Sequence, residues 1–313
     1  MKAPARIVAL LGPQRFHPTL RDVMTSLGMQ GRVAAITAGW QEREREDQDL
    51  RDHLDERTVN LELYARGERV AQRDPELAAA HHARQDRVRR LQELYRQRLA
   101  FALDACAVLA RAPGADADLD HERRAAREAV RALDAAHLQR LREIHAEFES
   151  RMKPAEREAV IHERTEIARL MDSTDAVAIA GGHVAVLLNR LRQFDIAGLL
   201  GGRAVFAWSA GAMAIAEHVV LFYDLTPHGS SWPEVLDEGL GVVKGVVPLP
   251  HARRRLNLDD RVRVSLMASR FEPAMCAALE DGAALVVRPD GWSAGEGARR
   301  LSQAGAVEPL GVA

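Results

Sequence analysis

The stretch that decides the fold is Arg203-Ala-Val-Phe-Ala-Trp-Ser-Ala-Gly-Ala-Met-Ala-Ile-Ala216, with Ser209 at its centre. The apolar run 204–207 predicts a buried strand, and the alanine-rich run 210–220 predicts a helix. A serine at so abrupt a turn needs very small residues two positions to either side, because the backbone folds back tightly around it. Ala207 and Gly211 meet that need. The pattern predicts a nucleophile elbow; the alternative is an ordinary buried junction of strand and helix.

A second serine pentapeptide, Gly291-Trp-Ser-Ala-Gly295, matches the G-x-S-x-G pattern more closely. Its surroundings differ, because Pro289-Asp-Gly291 is typical of a turn, and Gly295 and Gly297 would interrupt any helix that followed. We therefore predict that Ser293 lies in a hairpin or loop, which leaves Ser209 as the candidate nucleophile.

Composition and charge exclude several classes of protein. The chain has 313 residues, 47% hydrophobic and 28% charged, which is typical of a globular protein of about two domains. The formal net charge of -2 gives no reason to expect nucleic acid or a membrane as partner. The apolar run 7–11 is too short for a signal peptide or a membrane span. Since Cys106 and Cys276 also stand alone, we expect a cytoplasmic protein without disulfides or a cysteine-based zinc site.

Short apolar runs alternate with helical patterns at both ends of the chain, which predicts an α/β domain. The predicted strands are 7–11, 32–37, 176–180, 204–207, 241–247 and 284–288. The predicted helices of this domain are 19–27, 41–63, 184–194, 210–220 and 271–279. We expect this domain to be discontinuous, formed by residues 1–70 and 173–313.

Residues 75–172 have a different composition, rich in Ala, Arg, Glu and Leu, and form an inserted helical subdomain in our prediction. Apolar residues recur at spacings of three and four, and Pro113-Gly114 separates two long helices that we expect to pack as an antiparallel, coiled-coil-like hairpin. Acidic and basic residues balance in this segment, which argues against a nucleic-acid-binding arm. A homodimer through the inserted helices and the docking of a partner protein both stay open.

A serine hydroxyl is a weak nucleophile near neutral pH, so Ser209 needs a histidine base. His218 falls inside the helix predicted after the elbow, too far along it for contact. His251 ends the segment Pro248-Leu-Pro-His251 after a predicted strand, so we choose it as the base, with His228 in a polar loop second. The alternative for His251 is a surface position beside three arginines.

The base needs an acid, and the attack needs two backbone donors for the oxyanion. Asp281 precedes a strand beside Gly282 and is our first choice of acid, with Asp224 and Glu280 as the alternatives. The N–H of Ala210, just after the nucleophile, is a natural oxyanion donor. Gly181-Gly182, at the end of a predicted strand, can supply the other because glycine permits close approach.

The order of these residues separates two architectures that use a nucleophile elbow. In α/β-hydrolases the acid precedes the histidine, whereas here the order is Ser209, His251, Asp281. Gly181-Gly182 at a strand end, Trp208-Ser-Ala-Gly-Ala212 and Pro250-His251 together resemble the aspartyl dipeptidase and cyanophycinase family of serine peptidases. The resemblance covers roughly residues 5–40 and 173–290.

The resemblance implies the class I glutamine amidotransferase-like fold, a mostly parallel sheet with helices on both faces. It also implies Ser209 as nucleophile, His251 as base, substrates with an aspartyl residue on the acyl side, and no metal or other cofactor. Asp281 stands at the family's glutamate position, and Asp224 stands where an acid is implicated in aspartyl dipeptidases. The sequence departs from the pattern at Ala207, where glycine is expected, and at Ala252, where phenylalanine is usual.

These observations lead to one principal hypothesis and two alternatives. We expect a serine peptidase that cleaves small aspartyl or acidic peptides through an acyl-enzyme. Arg253, Arg254 and Arg255, with His228, are candidates for holding a substrate carboxylate, although a solvated basic loop would also account for the arginines. The alternatives are a catalytically silent domain that binds a partner or dimerises through its helical insertion, and an esterase or amidase that uses Ser209.

Overall fold

The computed structural model describes residues 7–224, 231–295 and 297–311. The strands of these residues are β1 (Val8–Leu11), β2 (Val33–Ile36), β3 (Thr58–Asn60), β4 (Ala176–Ile179), β5 (Ala204–Trp208), β6 (His218–Leu221), β7 (Glu234–Glu238), β8 (Val246–Pro250), β9 (Met275–Leu279), β10 (Ala284–Arg288), β11 (Gly291–Ala294), β12 (Ala298–Leu301) and β13 (Val307–Pro309). Their α-helices are α1 (Leu20–Ser26), α2 (Gln48–His53), α3 (Leu63–Arg73), α4 (Pro75–Arg111), α5 (Ala117–Met152), α6 (Glu158–Asp172), α7 (Val184–Gln193), α8 (Ile196–Leu199), α9 (Ala210–Ile215), α10 (Ala252–Arg255) and α11 (Arg261–Phe271).

The main sheet has the strand order β11-β10-β1-β5-β4-β2-β3. Strands β1 to β5 run parallel to one another, and β10 and β11 add an antiparallel edge. Along β1, Val8 and Leu10 pack into the core on one face, while Ala9 and Leu11 pack into the core on the other. Helices cover both faces, which is why these strands are continuously apolar. The predicted α/β class, with its mostly parallel sheet, is confirmed.

A smaller sheet, in the order β13-β12-β9-β8, brings a second pair of strand ends toward the main sheet. Strands β8 and β9 are parallel, so both carboxyl ends lie at the same edge. His251 follows β8 directly, and its backbone N–H donates to the carbonyl of Leu279 at 3.2 Å. Glu280 and Asp281 follow β9 and lead into β10 of the main sheet. This layout brings the predicted base and acid toward the edge where β5 ends.

The two long helices, α4 of 37 residues and α5 of 36, pack against each other and are joined by a short loop. Each begins with an aspartate cap: Asp74 accepts from the N–H of Leu77 at 3.0 Å, and Asp116 accepts from that of Leu119 at 2.9 Å. These bonds satisfy N–H groups that the first helical turn leaves without partners, and they stabilise the start of each helix directly after its aspartate.

A buried cluster of polar side chains connects the hairpin of α4 and α5 to α11. The Arg270 guanidinium donates to both carboxylate oxygens of Asp134, at 2.6 and 2.8 Å, and to the hydroxyl of Tyr95 at 2.9 Å. Arg270 and Asp134 are both buried, so removing either would leave an uncompensated charge inside the protein. The hairpin is therefore held along the body of the protein.

Two predicted helices of the α/β domain are wrong in part. The helix after Ser209 ends at Ile215, and His218 begins β6, because Val219 and Val220 pack in a buried strand that pairs with β7. The segment 271–279, rich in alanine and carrying Cys276, contains the end of α11 and then the strand β9, which lies between β8 and β12 and is buried. An apolar run buried on both faces does not show the alternation that identifies a strand.

Two further boundaries differ from the sequence prediction. Instead of one helix over 41–63, the structure has a 3₁₀ helix, α2 and β3 before α3 begins. The strand predicted over 241–247 lies at 246–250, where β8 is an edge strand and so accommodates Pro248 and Pro250. Within the described part of the chain, no helix combines the length and apolar character needed to cross a membrane.

Candidate active site

Ser209 lies between β5 and α9, at the turn that the sequence predicts. Its backbone has φ 51° and ψ -125°, a strained conformation for a residue with a side chain, and the side chain is half-buried. A Cβ added at Gly211 would lie 2.2 Å from the carbonyl oxygen of Ile179 on β4, so only glycine fits there. The close approach of α9 to β4 requires this glycine and fixes the sharp turn that presents Ser209.

Gly181 lies directly against the serine, and Gly182 follows it in the chain. A Cβ added at Gly181 would be 2.7 Å from the Cβ of Ser209 and 3.4 Å from the backbone nitrogen of Ala210. Gly182 has φ 110°, and a Cβ added there would lie 2.3 Å from the carbonyl oxygen of Gly39, in the 3₁₀ helix after β2. Among residues 7–224, 231–295 and 297–311, no hydrogen-bond acceptor pairs with the N–H groups of Gly181, Gly182 or Ala210. Within the described chain, the N–H groups of Gly181 and Ala210 are therefore without acceptors beside the nucleophile, and that of Gly182 follows Gly181 directly.

His251 is the histidine that the structure brings to the serine. The Oγ of Ser209 lies 3.5 Å from the Nε2 of His251. His251 has φ 58° and ψ 35°, so the chain turns in the left-handed region immediately after β8 and α10 follows. The distance is at the long end of a hydrogen bond, as is common for catalytic pairs before substrate is bound.

The surroundings of His251 favour the neutral imidazole. Partial burial lowers the pKa of His251 below its ordinary value, and the positive charges of Arg255 and Arg254 lower it further. The carboxylate of Asp281 acts in the opposite direction and raises this pKa. A histidine that is neutral near pH 7 has a free lone pair, which a base needs in order to accept the serine proton.

None of the three candidate acids hydrogen-bonds the imidazole within the described residues. Asp281 is exposed at the turn between β9 and β10. Glu280 accepts from the backbone N–H of Arg253 at 2.7 Å. Asp224 is buried and binds the guanidinium of Arg263 at 2.7 and 3.0 Å. Asp281 is thus the candidate that acts on His251 electrostatically, while Asp224 and Glu280 have other partners.

The predicted substrate-binding residues differ in their contacts. The guanidinium of Arg255 stacks over the ring of Tyr223 at 4.9 Å. Arg253 and Arg254 are exposed, and within the described chain neither forms an ion pair. The two free guanidinium groups therefore lie two and three residues after the candidate base. His228 belongs to residues 225–230, outside the described residues.

The remaining serine and histidine candidates lie elsewhere. Ser293 is on β11, in the predicted hairpin, where its hydroxyl accepts from the Nη1 of Arg288 at 2.9 Å. His218 begins β6. In the parts of the chain that the structure describes, no group of three His, Cys, Asp or Glu side chains is placed to hold a metal ion.

Gln41 has a strained backbone conformation that the sequence does not predict. Its φ of 60° and ψ of -126° are close to those of Ser209, and it lies just after the Gly39 contact with Gly182. The only cue in the sequence is its place in the loop that follows a predicted strand, because glutamine itself does not indicate a left-handed conformation.

Two solved structures are similar to this chain. The first is the crystal structure of a peptidase from an acI-B1 Actinobacterium, with 16% identity and a TM-score of 0.49, covering 99% of this chain and 95% of that chain. The second is a putative peptidase E protein from Listeria monocytogenes EGD-e, with 16% identity and a TM-score of 0.30, covering 44% of this chain and 65% of that chain. A search of curated proteins gave no match.

The family assignment rests on the part of the sequence that contains the candidate site. The model of peptidase family S51 matches residues 131–294, which is half of the chain and contains Ser209, His251 and Asp281. The resemblance to the family of aspartyl dipeptidases and cyanophycinases is thereby confirmed. This chain belongs to peptidase family S51 and is a serine-type peptidase.

Proposed function

We propose that this peptidase hydrolyses small peptides with an aspartyl or other acidic residue on the acyl side, through an acyl-enzyme on Ser209. The observation that carries the proposal is the 3.5 Å approach of the Ser209 Oγ to the Nε2 of His251, at a strained elbow. The N–H group of Gly181 lies beside it and has no acceptor among the described residues. These are the parts that acyl transfer needs: a nucleophile, a base and oxyanion donors.

In this mechanism the Oγ of Ser209 attacks the peptide carbonyl carbon while the Nε2 of His251 accepts the hydroxyl proton. The N–H groups of Ala210 and of Gly181 or Gly182 stabilise the oxyanion. His251 then donates the proton to the leaving amine, and the acyl-enzyme remains. A water molecule, deprotonated by His251, attacks the ester; the bond to the Ser209 Oγ breaks, His251 returns the proton to that oxygen, and the acid product is released. Asp281 stabilises the positive charge that His251 carries at each transition state.

The preference for acidic substrates rests on the two free arginines after the base. Arg253 and Arg254 are exposed and have no carboxylate partner among the described residues, so they offer guanidinium donors to a substrate carboxylate. Substrate would therefore supply the negative charge that this loop lacks.

A peptide panel tests the proposed substrate class. We expect measurable release of amino acid from aspartyl dipeptides or from β-aspartyl-arginine, none from the matching asparaginyl and alanyl peptides, and none with Ser209→Ala. Turnover of neutral peptides at equal rates would overturn the acidic preference. Turnover of simple acetyl esters without any aspartyl peptide would instead indicate an esterase or amidase.

Replacing the two arginines should weaken binding of acidic substrates. For Arg253→Gln and Arg254→Gln we expect KM for an aspartyl substrate to rise about 10-fold or more with a smaller change in kcat, because a charge-assisted hydrogen bond is lost. Steady-state kinetics measures both constants. Arg124→Gln, which removes an exposed arginine from the hairpin, should leave them unchanged. An unchanged KM in both loop variants would contradict the assignment.

The pH profile should report the lowered pKa of His251. Because the base must be neutral, kcat/KM should fall as pH decreases through this pKa, and the midpoint should lie below the ordinary value of 6.5. Asp281→Asn removes a charge that raises the pKa, so the midpoint should move to still lower pH. The same change should also reduce kcat, because the imidazolium that forms at the transition state loses a stabilising carboxylate charge.

Two parallel variants separate the candidate acids. Asp224→Asn and Glu280→Gln should each lower kcat less than Asp281→Asn does, since their carboxylates bind Arg263 and the Arg253 backbone. If Asp281→Asn retains kcat within about twofold while one of the other two variants does not, the acid is that other residue.

A further inference from the structure

A groove between α4 and α5, distinct from the serine site, is lined by three arginines. Its volume is about 180 Å³, and Arg84, Arg87 and Arg151 border it together with Glu147 and the ring of Phe148. Among the described residues only one of these arginines has a carboxylate partner: Arg87 pairs with Glu147 at 2.6 Å. The groove therefore has an excess of positive charge.

Arg84 is the most unusual of the three. Its guanidinium stacks over the ring of Phe148 at 4.2 Å, and its Nε is buried without a hydrogen-bond partner. Among the residues that the structure describes, no carboxylate forms an ion pair with it; Glu149 and Asp237 act on it only at longer range. Burial lowers the pKa of Arg84 to about 10. An aromatic ring attracts the cation but cannot accept all of its N–H donors.

More nitrogen atoms without partners lie around His81, three residues before Arg84 on α4. The buried Nε2 of His81, Nδ1 of His145 and Nε of Arg190 have no hydrogen-bond partner within the described chain. Burial lowers the pKa of His81 to about 3, and the nearby positive charges of Arg84 and Arg190 contribute to this shift. The carboxylate of Asp237 forms no hydrogen bond with these nitrogen atoms. It is bound by the Nε2 of His145 at 3.0 Å and by the guanidinium of Arg192.

The unpartnered nitrogen of Arg84 decides which ligand chemistry fits the groove. An arginine Nε–H is an obligate donor, so what it lacks is an acceptor. Arg151 adds an exposed guanidinium at the mouth of the groove, without an ion-pair partner among the described residues. An oxyanion supplies both negative charge and several acceptor oxygens, and arginine forks match carboxylate and phosphate groups in geometry.

We propose that this groove is a binding site for a small oxyanion, a carboxylate or phosphate group held by Arg84 and Arg151 above the ring of Phe148. The site is independent of the acyl-enzyme chemistry at Ser209, and its groove lies in the hairpin of α4 and α5.

Isothermal titration calorimetry of the full chain with inorganic phosphate and, separately, with succinate tests this proposal. In chloride-free buffer we expect one of the two anions to bind with a Kd of about 1 mM or tighter, and the comparison tells whether the group is phosphate or carboxylate. Arg84→Gln and Arg151→Gln should each weaken binding by about 10-fold. Arg84→Lys should bind with intermediate affinity, since it keeps the charge and loses the fork.

Two controls keep the result specific. Arg98→Gln, an exposed arginine on α4 outside the groove, should bind as tightly as the wild type. The double variant Arg253→Gln/Arg254→Gln should also retain binding, which separates this groove from the catalytic loop. If Arg84→Gln does not fold, Arg151→Gln alone decides. Failure of the wild type to bind either anion, or binding that survives the loss of the groove arginines, overturns the proposal.

Discussion

Ser209→Ala should lower kcat/KM on the best aspartyl substrate by a factor on the order of 10⁶, because no other group in the site can form the acyl-enzyme. The substitution removes a single half-buried oxygen and keeps the same backbone, so the thermal unfolding midpoint should stay within a few degrees of the wild type. Steady-state kinetics and a thermal scan of the same preparation measure both quantities.

The matched control for this variant is Ser293→Ala. Ser293 occupies the pentapeptide that fits the G-x-S-x-G pattern better by letters, but its hydroxyl bonds to Arg288 in the β10-β11 hairpin. We expect Ser293→Ala to keep full activity. If Ser209→Ala retained turnover while Ser293→Ala lost it, the two serines would have been assigned the wrong way round.

Gly181→Ala should cost about 10² to 10³ in kcat with little change in KM. Its new Cβ would lie 2.7 Å from the Cβ of Ser209, so either the glycine strand end or the serine must move. Such a shift displaces the oxyanion donors from the position that the tetrahedral intermediate needs. The measurement is kcat and KM on the aspartyl substrate, with circular dichroism to verify the fold.

Gly202→Ala provides the comparison at a site without crowding. A Cβ added at Gly202 meets no heavy atom within 4 Å, so this variant should behave as the wild type. Equal activity of the two alanine variants would mean that the contact between Gly181 and Ser209 does not position the oxyanion donors.

The parts of the site that could be predicted are those whose chemistry depends on residue size. The elbow requires Gly211, since any Cβ there would meet the carbonyl of Ile179, and Gly181 is required by the Cβ of Ser209. Such requirements appear in the sequence as small residues at fixed spacing, beside apolar strands that need no alternation. The hairpin helices were predictable for a related reason, because apolar spacing of three and four residues and the break at Pro113-Gly114 are local signals.

The errors arose where tertiary contacts override local pattern. Residues 275–279 are alanine-rich and resemble a helix, yet they form β9 because β8 and β12 pair with them on both sides. Val219 and Val220 extend an alanine-rich run, yet they form a strand that pairs with β7. Pairing between strands distant in sequence leaves no signal within either segment.

The candidate acid was the hardest part of the site to predict. Asp281, Glu280 and Asp224 all lie in loops after strands, where carboxylates are common for solvation alone. The three carboxylates differ in what they interact with. Asp224 binds Arg263, and Glu280 accepts from the backbone N–H of Arg253. Asp281 instead raises the pKa of His251 through its charge. Those partners come from segments that the sequence does not link.

The most direct test of the central claim is covalent labelling of the native protein with a fluorophosphonate, read by intact mass and peptide mapping. We predict one adduct per chain on Ser209, no adduct in Ser209→Ala, and slower labelling as the pH falls through the lowered pKa of His251. Folded wild-type protein that takes up no label, or that is labelled equally after Ser209→Ala, would contradict the assignment of Ser209 as an activated nucleophile.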